Sequence, residues 1–206
     1  MSVLYIDTSY DITLGLLDEN LGWQDLRNFR GQKVSHTIQN ETHRLLKDFQ
    51  TSLSKVTAVV SNAGPGFYTG LRFSEGFSDV LNFFQIPHYS FYSYELPFWL
   101  GHVKGNWLTK AYRGEYFSYT WDNHSSQKSL LSVKELTNLN TAVPFFVHAE
   151  TALDEQLKAL INDKAISTSE MLQDLSHAIF SKVLAEKLQR ESYYFRAPED
   201  EFRTNP

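Results

Sequence analysis

The sequence predicts an α/β protein of two lobes, a larger one over residues 1–92 and a reduced one over 93–206. Three observations carry that prediction. The chain opens with three short apolar runs separated by polar turns. Helical and β-branched segments then alternate as far as residue 92. Beyond Ser93 the same kinds of signal return, shorter and weaker. A chain of 206 residues accommodates one large domain or two small ones.

Val3 to Ile6 is a short apolar run and reads as a buried strand, ending at the turn-forming cluster Asp7-Thr8-Ser9. Ile12 to Leu17 reads as a second strand, closed by Asp18-Glu19-Asn20. Trp23 to Phe29 reads as a third. Three consecutive strands joined by tight turns make an antiparallel meander. Ser35 to Phe49 reads as a helix with Ser35 at its N-cap and a thin stripe of Ile38, Leu45, Leu46 and Phe49. Thr57 to Val60 is a β-branched central strand. Gly64-Pro65-Gly66-Phe67-Tyr68-Thr69-Gly70 follows, and then a helix from about Gly70 to Phe84, with Phe73, Phe77, Val80, Leu81 and Phe84 at three- and four-residue spacing. Gly76 sits inside that helix, where glycine costs up to about 1 kcal/mol relative to alanine and often admits a close neighbour. His88 to Phe91 is one more strand. Strands, helix, strand, helix, strand in this order form one ribonuclease-H-like half, with the last two strands parallel to the first.

The second half is read more thinly. Leu96 to Leu100 is a short helix. Trp107 to Thr109 and Tyr116 to Trp121 are strands, Ser125 to Lys128 is loop, and Phe145 to Val147 is a short buried strand. Thr151 to Leu160 is a short amphipathic helix. Glu170 to Gln189 reads as one long helix with Leu172, Leu175, Ile179, Val183, Leu184 and Leu188 on one face. This half resembles a smaller copy of the first.

Composition excludes several classes of function. The net charge is −5 and there is no run of Lys or Arg; the stretch Lys182 to Arg190 is interrupted by Glu186. Tight binding of nucleic acid relies on a basic face, so any role with it is expected to run through a partner. The chain has no cysteine, which removes disulfides, thiolate catalysis and cysteine zinc sites. The opening Met1-Ser2-Val3-Leu4-Tyr5-Ile6-Asp7 lacks the basic start of a signal peptide, and no apolar run approaches the roughly 20 residues of a membrane span. A soluble cytoplasmic protein is expected.

Two segments are candidates for chemistry, each with two readings. A strand-end Asp7 with Thr8 and Ser9 beside it can orient Mg²⁺ and phosphate oxygens, or simply form a turn. The glycines of Gly64-x-Gly66-x-x-x-Gly70 can cradle an anion on backbone N–H groups, or turn the chain sharply and seat the following helix closely. The loop is no P-loop, since no Gly-Lys-Ser/Thr follows. Arg72 could meet a phosphate or a partner carboxylate, or be a plain surface residue. His36 and His43, seven apart on a predicted helix, are separated by roughly 10 Å and cannot share a metal. No Gly-x-Ser-x-Gly motif is present, and the remaining histidines have no ligand spacing.

Three segments in order carry a family resemblance: Leu4-Tyr5-Ile6-Asp7-Thr8-Ser9, Ser35-His36-Thr37, and Gly64-Pro65-Gly66-Phe67-Tyr68-Thr69-Gly70-Leu71-Arg72. They resemble the opening strand and turn, the helix start and the glycine loop of the TsaB (YeaZ) family. Lys110-Ala111-Tyr112-Arg113-Gly114-Glu115-Tyr116-Phe117 resembles its later hairpin, and Tyr194-Phe195-Arg196 its closing motif. The match is good over roughly residues 1–92 and patchy beyond. Phe67-Tyr68 stands where the family has Ser-Phe, Ser-His-Thr where it has His-Ser-Glu, and Lys110 and Tyr112 where it has Asp and Arg.

The resemblance implies an actin/Hsp70-like (ASKHA) fold with two ribonuclease-H-like lobes, the second reduced. It implies a non-catalytic subunit, without cofactor or metal, that forms a heterodimer with TsaD and a larger complex with TsaE. That complex threonylcarbamoylates adenosine 37 of tRNA, which the chain would meet only through its partners. Homodimers also occur in such families. The predicted helices Ser35–Phe49 and Gly70–Phe84 would form the bundle with TsaD. Partner-binding residues would then be His36, Thr37, Asn40 and His43 on the first, with Phe67, Thr69, Arg72, Phe73, Gly76, Phe77 and Val80 at the second. Asp7, Thr8, Ser9, Gly64, Gly66 and Gly70 would be degenerate phosphate loops. The rival reading is an active ATPase or phosphotransferase of the same fold, with Asp7 on the metal and the glycine loop on phosphate. It is weakened because Gly101 to Gly105 lacks the acid of a second phosphate loop. A peptidase is the third reading.

Overall fold

The computed structural model describes residues 2–111, 114–149, 154–161 and 165–195, with residues 34–36 as backbone alone. They divide into two compact units, 1–92 with 176–206, and 93–175. The sequence placed 176–206 in the second lobe. The reason for the difference is a helix that supplies core side chains to the first sheet, as described below.

The first unit is a five-stranded sheet of order β3-β2-β1-β4-β5. Its strands are β1 (Ser2–Asp7), β2 (Ile12–Leu17), β3 (Trp23–Phe29), β4 (Val56–Asn62) and β5 (His88–Phe91). β1 pairs antiparallel with β2 and parallel with β4, and β4 pairs parallel with β5. Such a central strand is covered on both faces and reads as a continuous apolar run, and from Val3 to Asp7 every residue of β1 is buried.

Helix α1 (Val34–Asp48) and helix α2 (Tyr68–Phe83) cover one face. Ile38, Leu45 and Leu46 of α1 and Leu81 of α2 share a buried cluster with Leu4, Ile6, Leu14 and Val59 of the sheet. α1 starts one residue before the expected Ser35, with Lys33 at its N-cap and no side-chain cap, so Ser35 does not hold that position. α2 starts two residues before Gly70, because Phe67 takes the extended N-cap conformation.

The other face is aromatic. Tyr5 lies edge-on to Trp23 and to Phe180, with ring centroids 5.7 and 5.6 Å away. Gly15 faces Trp23 so closely that a Cβ there would overlap the indole. Phe180, with Ile179 and Val183, comes from α7 (Ser176–Ala185), which is why the last described segment belongs to the first unit.

The second unit repeats the pattern in the order β10-β9-β6-β7-β8. The strands are β6 (Gly105–Lys110), β7 (Tyr116–Trp121), β8 (Ser126–Leu131), β9 (Phe145–Val147) and β10 (Ile166–Ser167), with helices α3 (Leu96–Trp99), α4 (Val133–Leu136), α5 (Glu155–Ile161) and α6 (Thr168–Asp174). Leu108, Tyr116, Leu136, Phe145, Leu157 and Ile161 form one core. Trp107, Phe117 and Tyr94 pack together elsewhere in the unit.

Two second-half expectations change. Ser126 to Leu131 is an edge strand, not loop; among the described residues it pairs only with β7, and it is largely exposed, so it needs no apolar alternation. The single helix over Glu170–Gln189 is two helices, broken at Leu175, because Leu172 serves the second unit and Phe180 the first. Leu175, counted into the stripe, is 45% exposed. In the expected helix over Thr151–Leu160, residues 151–153 lie outside the described residues.

Candidate functional site

The turn after β1 and the glycine loop after β4 meet in one buried joint. Asp7 is 3% exposed. Its Oδ1 accepts from the Ser9 N–H at 2.8 Å and the Ser9 hydroxyl at 2.7 Å. Its Oδ2 accepts from Asn62 Nδ2 at 3.0 Å and the Tyr5 hydroxyl at 3.3 Å. Burial of the ring, reinforced by that carboxylate, drives the Tyr5 hydroxyl well above its ordinary pKa. Asn62 Oδ1 in turn accepts the Gly64 N–H at 3.0 Å. One amide at the end of β4 therefore ties both turns together.

The glycines are needed for contact. A Cβ on Gly70 would overlap the Thr8 carbonyl oxygen, and one on Gly66 would come 2.6 Å from Ser9 Cα. The Thr8 hydroxyl donates to the Gly70 carbonyl at 2.8 Å. The Gly66 N–H donates to the Tyr193 carbonyl and the Phe67 N–H to the Ser9 carbonyl. The segment ending at Phe195 closes the outside of the loop. Tyr10, Phe67 and Phe195 form a three-ring cluster with centroids 5.2 to 6.2 Å apart, and Tyr68 packs on Tyr194 at 5.0 Å. Of the closing motif, Tyr194 and Phe195 are thus seen against the glycine loop, while Arg196 lies outside the described residues, as do Tyr112 and Arg113 of the hairpin motif.

These residues do not fit a phosphate group. Anion cradles need backbone N–H groups aimed at open space, and here Gly64, Gly66 and Phe67 donate within the protein. Thr8 and Ser9 fill the ground that the glycines leave open. Arg72 pairs with Glu75 at 2.9 Å. Among the described residues no group of three His, Asp or Glu side chains could hold a metal ion.

The other expected site residues lie on α1 and α2, and they divide by exposure. Asn40, His43, Thr69, Arg72, Gly76 and Val80 are exposed. Thr37 is buried and its hydroxyl bonds to the Lys33 carbonyl and to Gln32 Oε1, both at 3.0 Å. Phe73 and Phe77 are partly buried against the core. The His36 side chain lies outside the described residues. Among the described residues a Cβ on Gly76 would meet open space, with no neighbouring backbone within 4 Å beyond its own helix. Sequence reasoning placed Phe84 in the helical stripe but named neither it nor Phe83 among the partner-binding residues; Phe83 and Phe84, 83% and 67% exposed, make an apolar end to α2 with Val80. Two aromatics at the end of a helical pattern were the available signal. Asn62 was also missed; it stands two residues before Gly64, at a strand end where a polar residue has no core to fill.

No protein-family model matches the chain, and no curated protein matches it. Solved structures do. YeaZ from Pseudomonas aeruginosa matches with a TM-score of 0.60 at 19% identity, over 90% of this chain and 93% of that one. A further structure, of an uncharacterized protein with similarity to peptidase YeaZ from Pseudomonas aeruginosa, matches with 0.60 at 17% identity, over 93% and 99%. The ethanolamine utilization protein EutJ from Carboxydothermus hydrogenoformans matches with 0.51 at 12% identity, over 87% and 90%. At these identities the likeness is one of fold, and it agrees with the α/β fold class that the family resemblance implies.

Proposed function

We propose that the chain is a non-catalytic subunit of the TsaB (YeaZ) kind, which binds TsaD and activates it for threonylcarbamoylation of tRNA adenosine in the cytoplasm. The observation that carries this reading is the filled joint. The turn and loop that would handle a nucleotide in an active enzyme of this fold spend their donors and acceptors on each other. The sequence features resembling that family are thereby given structural work, which does not require catalysis. The likeness of fold to YeaZ supports the same reading.

The surface offered to a partner is the outer side of α2 with the exposed part of α1. Large side chains left in water at one helix end favour association, and Val80, Phe83 and Phe84 stand there in a row with Phe49 37% exposed at the end of α1. Open Gly76 would let a partner helix approach closely. TsaE would join the assembly through TsaD, tRNA would be bound by the complex, and self-association would use the same face in the absence of TsaD.

The test is purification of the chain with TsaD of the same organism, followed by sedimentation and a modification assay with tRNA, TsaE and threonylcarbamoyl-adenylate. A stable heterodimer that supports transfer is expected. No complex, together with ATP turnover by the isolated chain, would sink the reading.

A further inference from the structure

Helix α7 stops at Ala185, although the helical periodicity of the sequence runs on to Gln189. The stop is a Schellman turn. The Lys187 N–H donates to the Leu184 carbonyl, the Leu188 N–H donates to the Val183 carbonyl, and Lys187 takes φ +49°. Left-handed backbone is unfavourable for a residue with a side chain. Helices α1 and α2 end in the same turn, with Gln50 and Gln85 left-handed. Those two have local reasons to stop: Thr51-Ser52 follows Gln50, and Pro87 stands two residues after Gln85. After Lys187 there is no such signal. Leu188, Gln189, Arg190 and Glu191 are all good helix formers. The local sequence favours a longer α7, so the turn is held from elsewhere.

It is held by the edge of the first sheet. The Ser90 N–H donates to the Leu188 carbonyl at 2.8 Å. The Ser90 hydroxyl donates to the Arg190 carbonyl at 2.9 Å and accepts the Arg190 N–H at 2.7 Å. The Tyr92 hydroxyl donates to the Glu191 carbonyl at 2.9 Å. Further on, the Tyr193 N–H donates to the Ala63 carbonyl and the Gly66 N–H to the Tyr193 carbonyl. Residues 188–195 are thus a strap along β5 and over the glycine loop. Strap and longer helix exclude each other. In a continued α7 the Arg190 N–H would turn to the Glu186 carbonyl, four residues back, and leave Ser90.

We propose that residues 186–195 are a two-state cover for the first sheet. Closed, they form the strap. Open, residues 187–191 join α7, and the Ser90 N–H, the Ala63 carbonyl and the Gly66 N–H are uncovered at a sheet edge that the strap otherwise keeps from pairing with another chain. The cover lies within the first unit and does not depend on the partner-subunit reading.

Amide hydrogen exchange of the full chain alone tests this. The reporters are the Ser90 and Gly66 amides, both bonded to strap carbonyls. They are expected to show a common protection, lower than that of the buried amides of β4, because the opening is local. Lys187→Gly suits the left-handed position and weakens a longer helix, so it should slow both reporters about tenfold. Gln189→Ala and Gln189→Gly remove the same side chain and differ in helix propensity. With a helical open state the alanine variant should exchange about fivefold faster than the glycine variant. A strap that merely loosens gives the reverse order, because glycine adds freedom to an open chain. That reverse order, or equal rates, would overturn the proposal. So would exchange of both reporters only with global unfolding, or no slowing in Lys187→Gly. Each outcome is read without TsaD and leaves the heterodimer test untouched.

Discussion

The two sheets have the same strand order and the same pairing directions, yet they fasten their first hairpin to the following helix by different means. In the first unit the β1–β2 turn and the start of α2 meet through glycines, main chain and a buried carboxylate. In the second, the β6–β7 hairpin meets α5 through a partly exposed acid. Asp154 caps α5 by accepting the Leu157 N–H at 3.0 Å. It also takes the Tyr116 hydroxyl at 2.6 Å and lies 3.4 Å from Lys110 Nζ. The helices differ as well: α1 and α2 have 15 and 16 residues, while α4 and α5 have 4 and 7. Strand pairing thus survives a large loss of helix, because backbone hydrogen bonds define a sheet whatever covers it. Long helices leave an outer face free for a partner, and short ones leave little.

The comparison can be broken most forcefully at Gly70. Gly70→Val drives a side chain into the Thr8 carbonyl, and a loss of about 4 kcal/mol is expected in denaturant titration. A near-native value would mean that the joint is loose. Asp7→Ala comes next. It leaves the buried Ser9 N–H and hydroxyl without their acceptor and takes one of two acceptors from the Asn62 amide, for a loss of about 3 kcal/mol by the same measurement. Where Asp7→Ala remains folded, tRNA modification with TsaD should be nearly unaffected; a collapse of activity in folded protein would favour the ATPase reading.

Gly76→Leu separates the outer face of α2 from the joint. A Cβ there meets open space among the described residues, and the helix gains propensity of up to about 1 kcal/mol. Stability should hold or rise, while TsaD affinity falls at least about tenfold, or about 1.4 kcal/mol. Unchanged affinity would refute the interface assignment. In the second unit, Tyr116→Phe removes a hydroxyl bonded to Asp154 and Gln156, at a cost of about 1 kcal/mol in chemical unfolding.

The smallest effect is on pH. Burial pushes the Asp154 carboxyl up, but hydrogen bonds from Tyr116, the Leu157 N–H and Lys110 outweigh it and hold the carboxyl below the ordinary value. A carboxyl held low in the folded state contributes stability that is present above its unfolded pKa and lost as pH falls through the folded one. Asp154 therefore adds to acid sensitivity below about pH 4. Midpoints of Asp154→Asn should fall less than those of the wild type between neutral pH and pH 3.

The first sheet was legible because its signals are local. Val3–Ile6 is an unbroken apolar run, Thr57–Val60 is β-branched, and the phenylalanines of α2 recur at helical spacing. β8 was not legible, since Ser-Gln-Lys-Ser on an exposed edge has the composition of a loop. The break at Leu175 was hidden for a different reason. The periodicity of 170–189 is continuous, although its apolar residues are claimed by two cores. At the site, the sequence brought forward Asp7, Thr8, Ser9, Gly64, Gly66 and Gly70 with both readings open, and it overlooked Asn62 and Tyr193.

Taken alone, the sequence determined the order of strands and helices in the first unit, the absence of cysteine chemistry and the acidic balance. These depend on residue type and on spacing within about one element. Only the tertiary structure decided that Asp7 is satisfied from within, that Thr8 and Ser9 fill the glycine loop, that α7 completes the first core, and that Gly76 faces open space. Each of those outcomes rests on contacts between residues far apart in the chain, and a pattern confined to one element carries no record of what lies across from it.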